Sequence, residues 1–300
     1  MFTLLTDDQV RKNDIDTLKR WLRQKLGGYT VAIKNITTDN ILYRGVPWPD
    51  RPHRVTELSY PPVAFARLNR ANRAGQPMFY GSRGAPPVFY ESRAGAGDRI
   101  ALSGWNITQP IWMHNLGFHQ DALRKLGGPN VPLRTPFVDP IPNETRENEK
   151  MRRAMSRAFT EVIEPDREYR YKRTVAITEL LFDKAEPIPQ KPDGPSIPRA
   201  GGIVYPAMQM RGAADNVALW PDFVDRCMAV TLALYVLVEQ ADPQSSSYTL
   251  LTLAKADAFP DGNINWREPD GPEWKRRSHV TFENGQWVSR DGSGQVYDRH

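Results

Sequence analysis

Apolar residues recur at helical spacing near the start of the chain, at Ile15, Leu18, Trp21, Leu22 and Leu26. Steps of three and four residues put them on one helix face, with Asn13 or Asp14 placed to cap it and Gly27-Gly28 to end it. Two later segments repeat the pattern. Met151, Ala154, Met155, Ala158, Phe159 and Val162 predict a helix over 144–162 capped by Asn143, and Val175, Ile177, Leu180 and Leu181 predict another over 169–185. Short β-branched and aromatic runs predict strands over 29–33, 41–43, 78–80, 99–102, 203–205 and 248–253, with a helical turn over 87–91. Asn284-Gly285, between 279–282 and 286–289, predicts a hairpin. A strongly apolar segment runs over 229–238. Prolines mark an ordered loop over 47–62 and an extended, exposed stretch over 186–199. Strands and helices mix without βαβ alternation, so the expected fold class is α+β, with mixed or antiparallel sheets and flanking helices.

Composition narrows the function classes. The chain has 300 residues, 40% of them apolar and 25% charged, as expected of an ordinary globular protein. Forty basic residues against 35 acidic ones leave a net charge of +5. That mild excess falls short of the basic stripe duplex binding needs, so direct nucleic-acid binding is not expected. It suits an enzyme with a small polyanionic substrate. Cys227 is the single cysteine, which excludes an intrachain disulfide and a multi-cysteine zinc site and indicates a reducing compartment. Opening an apolar run, it reads as a small buried hydrophobe. The start of the chain lacks a basic segment ahead of an apolar run, and no apolar stretch approaches membrane-spanning length. The expected location is therefore the cytoplasm. His114 and His119 lack the further ligands of a zinc site, so no metal is expected. Lys275-Arg276-Arg277 reads as a solvated edge strand. Gly81-Ser82-Arg83-Gly84 reads as an ordinary turn, although such a loop can cradle a phosphate.

The chemistry concentrates in two regions. The first holds Leu42-Tyr43-Arg44-Gly45, Asn69-Arg70-Ala71-Asn72, Met78-Phe79-Tyr80-Gly81-Ser82 and Val88-Phe89-Tyr90-Glu91. The second holds Gly201-Gly202-Ile203-Val204-Tyr205-Pro206-Ala207 and Asp215-Asn216-Val217-Ala218-Leu219. Arginines beside short strands can bind a diphosphate through bidentate hydrogen bonds. A tyrosine ending a strand offers a ring for stacking. A nearby carboxylate can stabilise the positive charge that develops when a glycosidic C–N bond breaks.

In order and wording these segments resemble the RES domain over roughly 41–222, most specifically over 70–91 and 201–219. The resemblance implies a fold like that of the ADP-ribosyltransferases and NAD as substrate, with no cofactor required. The implied activity is cleavage of the nicotinamide–ribose bond by hydrolysis or phosphorolysis, or transfer of ADP-ribose to a protein. Some members are toxins neutralised by an Xre-type antitoxin, and a homo-oligomer stays open. Arg44 and Arg70 would match the family's arginines and anchor the diphosphate. Tyr80 would stack on the nicotinamide or its ribose, and Glu91 would bind the ribose hydroxyls and stabilise the oxocarbenium-like transition state. Asn216 matches a family asparagine, and Asn72, Ser82, Tyr205 and Ala207 join it as expected substrate-binding positions. Ala207 stands where the family has its serine, so one hydroxyl contact is absent there. Ser82, Gln209 or Tyr205 can supply such a contact. Otherwise the chain is a weakened, RES-like module that binds a nucleotide or partner without turnover. The implied organisation is a helical extension over 1–40, a catalytic domain over 41–240, and a β-rich completion of that domain over 241–300.

Overall fold

Local caps set the first two helices. In the computed structural model, which describes residues 3–27, 33–127, 144–183, 199–242, 246–283 and 286–299, α1 (Asp7–Lys12) opens on a Thr6–Gln9 capping box. Helix α2 (Ile15–Lys25) opens on Asp14, whose carboxylate accepts from the Thr17 N–H at 2.7 Å. Strands β1 (Ile33–Ile36), β2 (Ile41–Pro47) and β3 (Phe79–Ser82) follow, then helix α3 (Pro86–Glu91) and strands β4 (Arg99–Ile107) and β5 (Ile111–Asn115). The middle of the chain is helical, with α4 (Gln120–Gly127), α5 (Arg146–Phe159) and α6 (Tyr171–Asp183). Next come β6 (Gly202–Pro206), β7 (Asp215–Leu219), α7 (Pro221–Cys227), β8 (Met228–Asp242) and β9 (Ser247–Ala256). Helix α8 (Glu273–Arg276) and strands β10 (Arg277–Glu283), β11 (Gln286–Asp291) and β12 (Val296–Arg299) complete it.

Among the described residues the strands form one 12-stranded sheet in the order β1-β5-β6-β7-β3-β2-β4-β8-β9-β10-β11-β12. Only the β5–β6 pairing is parallel among the described residues, so the arrangement is a mixed sheet with flanking helices, compatible with α+β. Strands β9 to β12 extend the sheet of the preceding segment rather than starting another. Residues 1–40 contribute β1, at the sheet edge, as well as two helices.

Alternation along the strands sorts side chains between the faces. In β6, Ile203 and Tyr205 join the cluster under α1, α2, α5 and α6, while Val204 joins the cluster of Phe79, Trp105 and Met113. In β7, Ala218 follows the first pair, and Val217 and Leu219 follow Val204. A third cluster joins Val88, Phe89 and Tyr90 of α3 to Ile100, Val236, Leu250 and Trp287. Leu18 and Leu22 of α2 are fully buried in the first cluster. Truncating either to alanine costs about 2–5 kcal/mol.

Several sequence expectations need adjustment. Helix α5 is capped by Thr145, whose hydroxyl accepts from the Asn148 N–H, while Asn143 lies outside the described residues. Residues 165–170 form a separate 3-10 turn ahead of α6. The loop over 47–62 carries a short 3-10 turn at Val55–Glu57. The basic run at 275–277 is not an edge strand: it spans the end of α8 and the start of β10, which lies between β9 and β11. Arg277 there pairs with Glu239 and Glu273. Cys227 is buried at the end of α7, and burial pushes its thiol pKa up. The expected strand over 29–33, the extended stretch over 186–199 and the Asn284-Gly285 turn lie largely or wholly outside the described residues. Among the described residues, no helix is long and apolar enough to cross a membrane.

Candidate functional site

A cleft opens where two neighbouring strands diverge. Strand β2 pairs with β4 from Ile41 to Pro47, and β3 pairs with β7 from Phe79 to Ser82, yet β2 and β3 pair only at Tyr43↔Ser82. The Arg44 guanidinium bridges the gap. Its Nε donates to the Ser59 carbonyl and its Nη1 to the Tyr80 carbonyl, both at 2.8 Å. Its Cζ lies 5.5 Å from the centre of the Phe79 ring. Burial lowers its pKa to about 10, so it remains a cation at neutral pH. Among the described residues, Nη2 has no hydrogen-bond partner.

The floor is a single row across four strands. Tyr43 of β2 faces Ser82 of β3, Ser82 faces Asn216 of β7, and Asn216 faces Tyr205 of β6. Directly opposed residues project from the same side of a sheet, and all four line the cleft.

Helix α3 forms the wall above this row. Pro86 and Pro87 start it, since neither needs a partner for a missing N–H, and it ends at Glu91. The Glu91 carboxylate accepts from the Gln209 N–H at 3.3 Å, and the neighbouring Asn216 side chain favours the anion. Burial pushes its pKa up, and these groups and the Arg70 cation only partly oppose that.

Arg70 lines the cleft, although its fork is already occupied. Nη1 donates to the carbonyls of Ala158 and Phe159 at 3.3 and 3.1 Å, and Nη2 to that of Glu161 at 3.0 Å. These carbonyls lie at the end of α5, so the guanidinium caps that helix. Its Cζ also sits 5.5 Å from the Tyr171 ring and 5.8 Å from the Tyr205 ring. Arg70 thus gives the cleft positive charge and a rigid wall rather than a free bidentate clamp. Tyr80 is pinned similarly: its hydroxyl donates to Asn72 Oδ1 at 2.7 Å and accepts from the Ala71 N–H at 2.9 Å. Burial raises its pKa, and the phenol stays neutral.

Two expected substrate contacts lie off the wall. Asn72 donates to the carbonyls of Arg67, Arg73 and Gln76 and accepts from Tyr80, which uses both ends of its amide. It holds the loop and the Tyr80 ring in place. Ala207 is fully buried in the apolar cluster of Val88, Phe89 and Met210, and the next residue, Met208, reaches the cleft instead. Ser82 does line it, with its hydroxyl donating to the Gly84 carbonyl at 2.5 Å. Asn69 and Tyr171 also line it and were not anticipated. Tyr171 opens α6, far along the chain from the other lining residues, and only its stacking on Arg70 marks it.

The cleft has a volume of about 280 Å³, near the lower end of small-molecule sites. No family model, curated protein or solved structure matches this chain. Among the described residues, no group of three or more histidine, cysteine, aspartate or glutamate side chains is placed to hold a metal.

Proposed function

We propose that this cleft binds the nicotinamide–riboside end of NAD and breaks its nicotinamide–ribose bond, the activity implied by the resemblance to RES domains and their ADP-ribosyltransferase-like fold. The observation that carries the reading is the meeting of Glu91, Asn216, Tyr205, Tyr80, Arg70 and Arg44, drawn from distant parts of the chain, around one small cleft. Glu91 is the reactive carboxylate. As the C–N bond breaks, its electron pair leaves with nicotinamide and positive charge develops on the ribose, which the glutamate anion stabilises. Such preorganised charge stabilisation typically contributes a factor of about 10²–10³ in rate. The Gln209 N–H holds the carboxylate, and Asn216 beside it favours the anion. The Tyr80 and Tyr205 rings offer flat faces to the nicotinamide, and the Arg44 Nη2 offers a donor to a phosphate oxygen.

Water as acceptor gives ADP-ribose and a proton; phosphate gives ADP-ribose 1″-phosphate and a proton. Ala207 lies buried behind the cleft wall, so the missing hydroxyl there removes no group from that wall. Incubation with NAD, with and without phosphate and with a protein acceptor mixture, tests the reading by the release of free nicotinamide and the identity of the second product. An intact NAD pool in all three conditions overturns it.

A further inference from the structure

Beside the cleft of about 280 Å³, a second cavity of about 320 Å³ lies on the other side of α3. The two share Tyr43, and the chain leaving β3 runs between them: Gly81 and Ser82 close that strand, rather than forming a turn, and line the cleft, while Arg83 and Gly84 just beyond it line the second cavity. Its floor is apolar, built from Leu102, Leu234, Val236 and Leu250 of three adjacent strands with Phe89 of α3 above them. Polar groups are few. Ser289 is 1% exposed and lines it, and Thr252 and Ser278 sit half-buried. An apolar slot with a few hydroxyls suits a flat heteroaromatic ring.

We infer that this second cavity takes the adenine ring of the dinucleotide, with the diphosphate crossing the end of β3 at Ser82–Gly84. The inference rests on the NAD reading of the neighbouring cleft and extends it to the other half of the same substrate. The cation at the crossing is the Arg83 guanidinium, which also bonds Asn40 and lies 3.5 Å from the Asp215 carboxylate. The segment flagged in the sequence as a possible phosphate cradle thus joins two sites, as a strand end and the two residues after it.

The test fills the second cavity from its strand side with Thr252→Trp and, independently, Ser278→Trp, since strands accept aromatic residues well. Nicotinamide release is measured from NAD and from nicotinamide mononucleotide, which lacks the adenosine half. The expected result is a loss of about tenfold or more in kcat/KM for NAD, carried by KM, with the mononucleotide unaffected. Equal losses for both substrates, or no loss for either, overturn the inference. If the unmodified protein cleaves neither substrate, the cleavage reading fails separately. Calorimetric titration with adenosine monophosphate then decides the adenine site: binding weakened by Thr252→Trp supports it, and no binding, or binding unchanged by the substitution, overturns it.

Discussion

Val88 of α3 packs directly onto Gly45 of β2, so closely that a Cβ on Gly45 would lie 2.0 Å from Val88 Cγ1. A β-branched side chain cannot swing away from that contact. The absent side chain at Gly45 therefore lets α3 sit low over the sheet, which brings Glu91 to the cleft. Gly45→Ala is expected to destabilise the fold by about 1–3 kcal/mol and to reduce nicotinamide release. Gly45→Ala/Val88→Ala should recover much of the activity lost in the single variant. Urea unfolding and the release assay on the three proteins check this.

Arg70 and Glu91 should separate stability from activity. Arg70→Ala leaves the carbonyls of Ala158, Phe159 and Glu161 without their donor. Each buried, unpaired group costs about 1–3 kcal/mol, so a large loss of stability is expected alongside any loss of turnover. Glu91→Gln should leave the midpoint of thermal unfolding unchanged or higher, because burial already disfavours the carboxylate. The sign follows from linkage. The folded-state pKa lies above the unfolded one, so the folded protein holds the proton more tightly and the ionised group detracts from stability at neutral pH. Activity needs the anion, so it should decline on acidification at a higher pH than for an ordinary carboxylate.

These residues mark how far the sequence alone reached. The α2 helix was legible because its apolar spacing and Asp14 cap are local signals. Strand β7 was not, because Asp215–Leu219 is buried throughout and shows no alternation of polar and apolar residues. The cleft residues could be named from their wording, yet their division of labour could not. An asparagine binding a ligand and one binding three carbonyls of its own loop read identically in a sequence, and Asn72 is the second kind. Arg70 poses the same problem, since its partners lie about ninety residues away and no local pattern reports them.

Ala207→Ser is expected to leave turnover no higher than in the unmodified protein. The side chain lies in an apolar cluster rather than on the cleft wall, so the new hydroxyl meets no substrate. Burying it costs about 1–3 kcal/mol. Steady-state kinetics and thermal unfolding of the variant report both effects. A marked gain in kcat would place position 207 in the site.

His114 should govern part of the acid sensitivity of the fold. It is buried against Phe182, with ring centres 5.2 Å apart, and neither ring nitrogen has a hydrogen-bond partner among the described residues. Burial lowers its pKa to about 4 from an ordinary 6.5. The folded protein therefore binds this proton less readily than the unfolded chain. The contribution is fully present above pH 6.5 and is lost as pH falls toward 4, reaching roughly 3 kcal/mol at most. His114→Phe should flatten the dependence of unfolding free energy on pH across that interval.

The most direct measurement is nicotinamide released per enzyme from NAD by the unmodified protein and by Glu91→Gln, with NAD binding followed in parallel by calorimetry. The account predicts steady release by the first, and by the second a loss of about a hundredfold or more with NAD still bound. Equal turnover by the two proteins, or no release by either at saturating NAD, would contradict it.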